Sequence, residues 1–145
     1  MKINECKNAV QYELLAKLEK ECFAEEPWSL ESIGELLKAS IRQGFLLQDN
    51  DRVVGYVILT CFEHEAEIER IGIALPYRQK GLGKFLLLNI LDILELERCF
   101  LDVSVVNSGA IKLYESCAFQ VIGKRSAYYR NGADALLMEW KRKNE

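Results

Sequence analysis

"RQKGLGK", residues 78–84, runs directly into "FLLLNILDILEL", residues 85–96. Gly81 and Gly83 lie among Arg78, Lys80 and Lys84. A glycine turn that opens a helix exposes unpaired backbone N–H groups at the positive end of the helix dipole, which suits an anion. Glycine also lets a backbone approach a diphosphate closely. Two versions of such a turn fail on named positions. A nucleotide P-loop needs glycine five places before its Gly-Lys pair and Ser or Thr after it, where this chain has Arg78 and Phe85. A dinucleotide fingerprint needs a third glycine where Leu86 stands. The seven residues alone leave an anion cradle and a plain helix-opening turn both open.

The flanking segments alternate between strand and helix patterns. Upstream, "AEIERIGIAL" (66–75) alternates and then turns wholly apolar, as a strand buried on both faces at one end does. Before it, "GFLLQDNDRVVGYVILTCF" (44–62) reads as strand, tight turn at "DND", strand. "AVQYELLAKLEKECF" (9–23) places Val10, Leu14, Leu15, Leu18 and Cys22 near helical spacing. Ser29 offers an N-cap to a second helix, with Glu31 in its first turn and Ile33, Leu36 and Leu37 on its apolar face. "INEC" (3–6) is a short first strand. After the glycine turn come a helix over 83–97, a strand at "CFLDVSV", a short helix in "NSGAIKLYESCAF" capped by Ser108 or Asn107, and strands at "QVIGKR" and "DALLMEW". The last two are joined by "SAYYRNGA", whose Asn131-Gly132 is a turn dipeptide. The order β-α-α-β-β-β-α-β-α-β-β predicts an α/β (α+β) three-layer domain.

Composition sets the outer bounds. The 145 residues fit one domain, 1–145, and 50% hydrophobic with 28% charged residues is ordinary globular composition. A net charge of −3 gives no global basic field for nucleic acid or anionic membrane. The N-terminus has no continuous apolar run of a secretory signal, and the longest apolar run, 85–96, is interrupted by Asn89, Asp92 and Glu95. Five scattered cysteines without a CxxC pair read as reduced thiols in a cytoplasmic protein, packed as small hydrophobes. With His64 the only histidine, and that in a turn, no metal site is expected. The terminal "KRKNE" reads as a frayed tail. No oligomer is called for, and a monomer is the simpler expectation.

"R-Q-K-G-L-G" resembles the (Q/R)-x-x-G-x-(G/A) motif of the GCN5-related N-acetyltransferases (GNAT). "LDVSVVNSGAIKLYESCAF" (101–119) is similar to that superfamily's L-E-V-x-x-x-N-x-x-A-x-x-L-Y-x-x-x-G-F segment. "EPWS" and "AYYRNGADALLMEW" resemble the RimI branch, the ribosomal-protein-alanine acetyltransferases. The resemblance implies an α/β/α domain with a mixed, centrally splayed sheet, and acetyl-coenzyme A as co-substrate without a metal. It assigns the pyrophosphate to Arg78, Gln79, Lys80, Gly81, Leu82, Gly83 and Lys84, chiefly through backbone. It assigns the pantetheine arm to the strand at Ile71, Gly72 and Ile73, with Asn107 beside it.

Tyr114 matches the family tyrosine near the coenzyme sulfur. A phenol, with a pKa of about 10, can protonate a departing thiolate. The RimI branch carries a glutamate base where this chain has Asp102, whose carboxylate is retracted by roughly one methylene, ~1.5 Å. Glu69, with Glu67 on the same strand face, is the alternative base. A third option is no dedicated base, because an α-ammonium titrates at roughly 8. The acceptor implied is a protein N-terminus, alanine of a small-subunit ribosomal protein. It would enter past Trp28, Tyr128 and Tyr129, aromatics that simple packing also explains. Glu25 and Glu26 either attract a basic acceptor or are plain solvated charges. Two positions depart from the pattern. Pro76 falls one residue late, and Ala118 stands where relatives carry a glycine, so any φ > 0 there is met without glycine's freedom.

Overall fold

The computed structural model describes residues 1–23, 27–39 and 41–143. Glu25 and Glu26 lie outside the described residues. The elements follow the expected order: β1 (Lys2–Glu5), α1 (Ala9–Cys22), α2 (Leu30–Lys38), β2 (Arg42–Asp49), β3 (Arg52–Phe62), β4 (Glu65–Ile73), α3 (Leu82–Ile93), β5 (Arg98–Ser104), α4 (Ser108–Ser116), β6 (Gln120–Arg125) and β7 (Ala135–Lys141). A 3-10 turn over Leu75–Tyr77 holds Pro76 and leads into the glycine turn.

The strands form one sheet in the order β1-β2-β3-β4-β5-β7-β6. Every neighbouring pair is antiparallel except β4 and β5, which run parallel with α3 as the crossover. Helices α3 and α4 cover one face. There Leu86, Leu87, Ile90 and Leu91 pack with Val57, Leu59, Ile68, Leu101 and Met138. Helices α1 and α2 cover the other face, with Leu15, Leu18 and Ile33 against Leu46, Tyr56 and Ile58. This is the three-layer α/β/α arrangement read from the sequence. Among the described residues no helix is long and apolar enough to cross a membrane.

Local chemistry accounts for most element ends. Asn8 and Gln11 form a reciprocal capping box at α1, and Ser29 accepts from the Ser32 N–H at 3.1 Å to start α2. All five cysteines are free, and Cys6, Cys99 and Cys117 are buried. The buried stripe of α1 differs from the predicted one. Val10 is 65% and Leu14 38% exposed, while Leu15, Leu18 and the glutamate Glu19 face the sheet. The tail also differs. Lys141 belongs to β7, and Arg142 donates from Nε to the Leu96 carbonyl at 2.8 Å and from Nη2 to the Leu91 carbonyl at 3.1 Å. These bonds hold carbonyls at and just beyond the C-terminal end of α3, so the chain is anchored through Arg142.

Helix α3 ends at Ile93, four residues before the predicted Glu97. Glu95 takes φ 50° and donates to the Asp92 carbonyl at 3.0 Å, and Leu96 donates to the Leu91 carbonyl at 3.0 Å. This is a Schellman stop, which turns buried Leu96 back under the helix. Helix α4 ends the same way. Ala118 sits at φ 70°, its N–H meets the Glu115 carbonyl at 3.0 Å, and the Phe119 N–H meets the Tyr114 carbonyl at 3.0 Å. The Phe119 ring then packs on Tyr114 with centroids 5.9 Å apart. A left-handed conformation costs an L-residue with a Cβ roughly 1–2 kcal/mol. Ala118→Gly is therefore expected to stabilise the protein by about 1 kcal/mol, after allowing for glycine's greater unfolded-state entropy. Urea denaturation would show it, and a lower midpoint for the variant would contradict it.

Candidate active site in the split of the sheet

Strands β4 and β5 pair only from Glu65↔Arg98 to Ile68↔Leu101. Beyond that point β4 runs on to Ile73 and β5 to Ser104 without pairing to each other. A cleft of about 780 Å³ opens there, lined by both strand ends, the glycine turn, Tyr114 and Tyr129. The register on the far side of β4 determines which backbone groups face it. The Ala74 N–H bonds to the Val54 carbonyl at 2.8 Å, while Ile73 lies opposite Gly55 and Ile71 opposite Val57. Hydrogen-bonded and non-bonded pairs alternate along an antiparallel ladder, so Ile71 and Ile73 turn their N–H and C=O groups away from β3, toward the cleft. The Ile73 carbonyl already accepts from Arg78 Nε at 2.7 Å and from the Cys22 thiol at 3.4 Å.

At one end of the cleft α3 begins. Its cap is Gly81 at φ 78°, with no side-chain cap hydrogen bond, and Gln79 also takes a left-handed φ of 61°. The first intrahelical bond there is from Phe85 N–H to the Gly81 carbonyl. The N–H groups of Leu82, Gly83 and Lys84 are thus the orphan donors of this helix. The two glycines do different work. Gly81 supplies the turn, and a Cβ there would meet nothing within 4 Å. A Cβ on Gly83 would lie 3.1 Å from Leu113 Cδ2, so Gly83 lets α4 close on α3. Lys84 and Arg78 border the cleft, whereas the Lys80 ammonium lies 5.8 Å over the Tyr77 ring, outside its lining.

Asn107 caps α4, accepting from the Ala110 N–H at 3.1 Å, and it also lines the cleft. Tyr114 is buried on the cleft wall, and among the described residues its hydroxyl has no hydrogen-bond partner. Burial, then Tyr129, Cys117 and Cys99, push its phenol well above the ordinary tyrosine value, so it stays protonated at neutral pH.

The carboxylates lie on the sheet face toward α1 and α2. Asp102 is 13% exposed with Oδ1 buried and not hydrogen-bonded, and the Arg125 Nε stands 3.5 Å away. Glu69 is differently placed. Its Oε1 accepts from Arg42 Nε at 3.3 Å and from the Thr60 hydroxyl. Glu69 is the extra residue of a β-bulge, since Arg70 pairs with Ile58 and Ile68 with Leu59. Of the three aromatics expected at the entrance, Tyr129 lines the cleft. Tyr128 is 51% exposed, packs edge-on against Tyr129 at 5.1 Å, and lies beneath the Arg125 guanidinium. Trp28 stands behind Arg70, with its ring centroid 4.5 Å from the guanidinium carbon.

The acetyltransferase (GNAT) family model matches residues 12–119. The chain belongs to the acetyltransferase (GNAT) family. Its enzyme class is N-acetyltransferase, and the family uses acetyl-CoA. The chain is 31% identical over 129 residues to the N-alpha-acetyltransferase RimI of Mycobacterium tuberculosis, covering 85% of this chain and 82% of that protein. It is 35% identical over 129 residues to an uncharacterized protein of Mycobacterium leprae, covering 85% of this chain but only 36% of that longer protein. The crystal structure of the ribosomal-protein-S18-alanine N-acetyltransferase from Escherichia coli superposes with a TM-score of 0.88 at 26% identity, covering 99% of this chain and 95% of that one.

The GNAT motifs thus converge on one cleft. Sequence reasoning missed Arg125 beside Asp102 and the cluster of Glu19, Arg70 and Tyr56 behind Trp28. Glu19 had a visible signal, since it shares the helical stripe of Leu15, Leu18 and Cys22. Arg125 had none, because its partner is 23 positions away in the chain.

The carboxylates also sense one another. Burial, then Asp102 and Glu69, push the Glu67 carboxyl above the ordinary glutamate range, and Arg125 pulls it back. A folded-state value raised above the unfolded one contributes stability below the ordinary range, which is lost as pH rises through the Glu67 midpoint. Asp102→Asn is expected to lower that midpoint and Arg125→Ala to raise it, as read by carboxyl NMR titration. A Glu67 midpoint that ignores both substitutions would show that the three groups are not coupled.

Proposed function

We propose that the chain transfers acetyl from acetyl-CoA to the α-amine of a protein N-terminus, alanine of a small-subunit ribosomal protein, directly and within a ternary complex. The observation that carries the reading is the unpaired inner edge of β4, with an uncapped helix start at one end and Asp102 and Tyr114 on its flanks. An internal strand edge with free N–H and C=O groups suits an amide-bearing arm that lies alongside it as a further strand. The orphan donors of Leu82, Gly83 and Lys84, with the Lys84 and Arg78 charges, suit a pyrophosphate. The residues present therefore fit acetyl-CoA, which supplies an activated acetyl thioester.

The chain's own groups divide the remaining work. The cleft-facing N–H of Ile71 or Ile73 would polarise a carbonyl beside β4. The Tyr114 hydroxyl would give its proton to a departing thiolate. The Asp102 carboxylate, ion-paired with Arg125 but with no hydrogen bond on Oδ1, would take a proton from the acceptor ammonium, directly or through one water, so that the free amine attacks. Glu69, which also lines the cleft but has its Oε1 engaged by Arg42 and Thr60, is the weaker candidate. Tyr129 walls the acceptor side, with Tyr128 behind it. The names of two relatives, an N-alpha-acetyltransferase and a ribosomal-protein-S18-alanine N-acetyltransferase, support the choice of acceptor, and a cytoplasmic reaction fits that acceptor.

A second reading rests on Glu67, Glu69 and Asp102 sharing one face, which also suits a small polyamine or a lysine side chain as acceptor. An acceptor panel separates the readings. Turnover of an alanine-starting ribosomal peptide in preference to polyamines and lysine peptides is expected, with the matching N-terminus unacetylated by mass spectrometry in cells that lack the protein. Preference for a polyamine would replace the first reading by the second, and tight acetyl-CoA binding without turnover of any amine would sink both.

Substitutions test the assigned roles. Tyr114→Phe is expected to lower kcat by about 100-fold with little change in acetyl-CoA affinity. Asp102→Asn is expected to flatten the acid limb of the kcat/KM profile, while Glu69→Gln leaves that limb in place. The reverse pattern would move the base to Glu69.

A further inference from the structure

Glu19 is a fully buried carboxylate that the proposed chemistry does not use. Three groups converge on it. The Tyr56 hydroxyl donates to Oε1 at 2.6 Å, the Trp28 backbone N–H donates to Oε2 at 2.6 Å, and Arg70 Nε lies 3.7 Å from Oε1. Burial and Glu19 push the Tyr56 phenol far upward, so Tyr56 remains a donor. The Arg70 guanidinium carbon lies 4.3 Å from the Phe23 ring centroid and 4.5 Å from that of Trp28. Phe23 caps the end of α1, and Trp28 immediately precedes Ser29, the N-cap of α2. One guanidinium therefore ties the last residue of one helix to the entry of the next.

We propose that Arg70 is a positioning residue for the acceptor side of the cleft and that Glu19 holds it in place. Arg70 directly follows the bulged Glu69 and lines the cleft together with Phe23. The tie thus joins the α1–α2 corner to the strand whose inner edge faces the bound coenzyme. It passes close beneath that strand, since a Cβ on Gly72 would lie 2.6 Å from Tyr56 Cε1. This explains the glycine in "RIGIA". A buried ion pair contributes little net stability compared with apolar residues of the same volume, but it fixes direction because each charge must meet its partner. Arginine suits the role because its planar guanidinium stacks on rings while bonding a carboxylate. The inference rests on the acetyl-transfer reading above.

Two substitutions test it in the full chain. Glu19→Gln keeps the volume and removes the charge, and Arg70→Lys keeps the charge and removes the planar stack. In both, KM for an alanine-starting peptide is expected to rise by about tenfold or more, while the acetyl-CoA Kd from calorimetry stays within about twofold. An unchanged peptide KM, or an equal loss in both constants, would overturn the proposal. Should Glu19→Gln fail to fold, Arg70→Lys decides alone. Should the wild-type protein turn over no alanine-starting peptide, the acceptor assignment falls by itself. Arg70 is then judged by Trp28 fluorescence in a Trp140→Phe background, where a shifted emission in Arg70→Lys supports positioning and an identical one refutes it.

Discussion

Everything at the cleft follows from one parallel strand pair that stops early. Strands β4 and β5 hold register through Ile68↔Leu101 and then part. A sheet interior does not ordinarily leave N–H and C=O groups unpaired, because each unpaired group costs a lost hydrogen bond. Here the sheet keeps both halves paired outward, β4 to β3 and β5 to β7, and leaves only the inner edges free. The cost is confined to a few residues and placed where a ligand with its own amides can relieve it. On the proposed reading the fold is completed by what it binds, which is a physical reason for the cleft to lie where it does.

The two sides of the split are held by different means. On the α3–α4 side, close helix packing sets the geometry. Gly83 admits Leu113, and the Schellman stop at Ala118 folds Phe119 back onto Tyr114, so the phenol is held by packing on both sides of it in the chain. On the α1–α2 side, charge sets it. Glu19 accepts hydrogen bonds from the Tyr56 hydroxyl and the Trp28 N–H, and Arg70 Nε stands 3.7 Å from its Oε1 as an ion pair. Apolar packing tolerates small slides between surfaces, whereas a buried carboxylate with two directed donors and an ion-pair partner tolerates them less. The wall carrying the proposed proton donor is thus located by volume, and the acceptor wall by direction.

Element order was legible because strand alternation and helical spacing are strong over most segments, and turn dipeptides such as Asn131-Gly132 mark the breaks. Gly132 takes φ 84°, as such a turn requires. Element ends were less legible. Glu95 and Ala118 occupy left-handed positions where glycine is usual, so neither helix stop carried its common signal. The face of α1 was misread for a related reason. Counting apolar residues favoured Val10 and Leu14, while the true stripe contains a charged residue whose partners come from β3, β4 and the α1–α2 corner. The glycine motif identified the cleft, yet it concealed that Gly81 serves the turn and Gly83 serves helix packing. The split itself left no mark on either strand, since it consists of pairing that two ordinary strands do not make.

The carboxylates show how a single bulge can separate roles. Without the extra residue at Glu69, alternation along β4 would turn the residue beyond Ile68 and the next one to opposite faces. With it, Glu69 is spent on Arg42 and Thr60 while Arg70 is delivered to Glu19. Asp102 and Glu69 both line the cleft, and Asp102 Oδ1 accepts no hydrogen bond although Arg125 stands at ion-pair distance. The length of the aspartate then matters. Arg125 Nε already stands 3.5 Å from Oδ1, just beyond a good hydrogen bond. A glutamate there would reach roughly one methylene further, ~1.5 Å. It would close that gap and engage the guanidinium. The shorter aspartate keeps Oδ1 at ion-pair distance from Arg125 without a hydrogen bond to it. On the proposed reading, that spacing leaves Oδ1 able to take a proton while Arg125 holds the carboxylate in its ion pair.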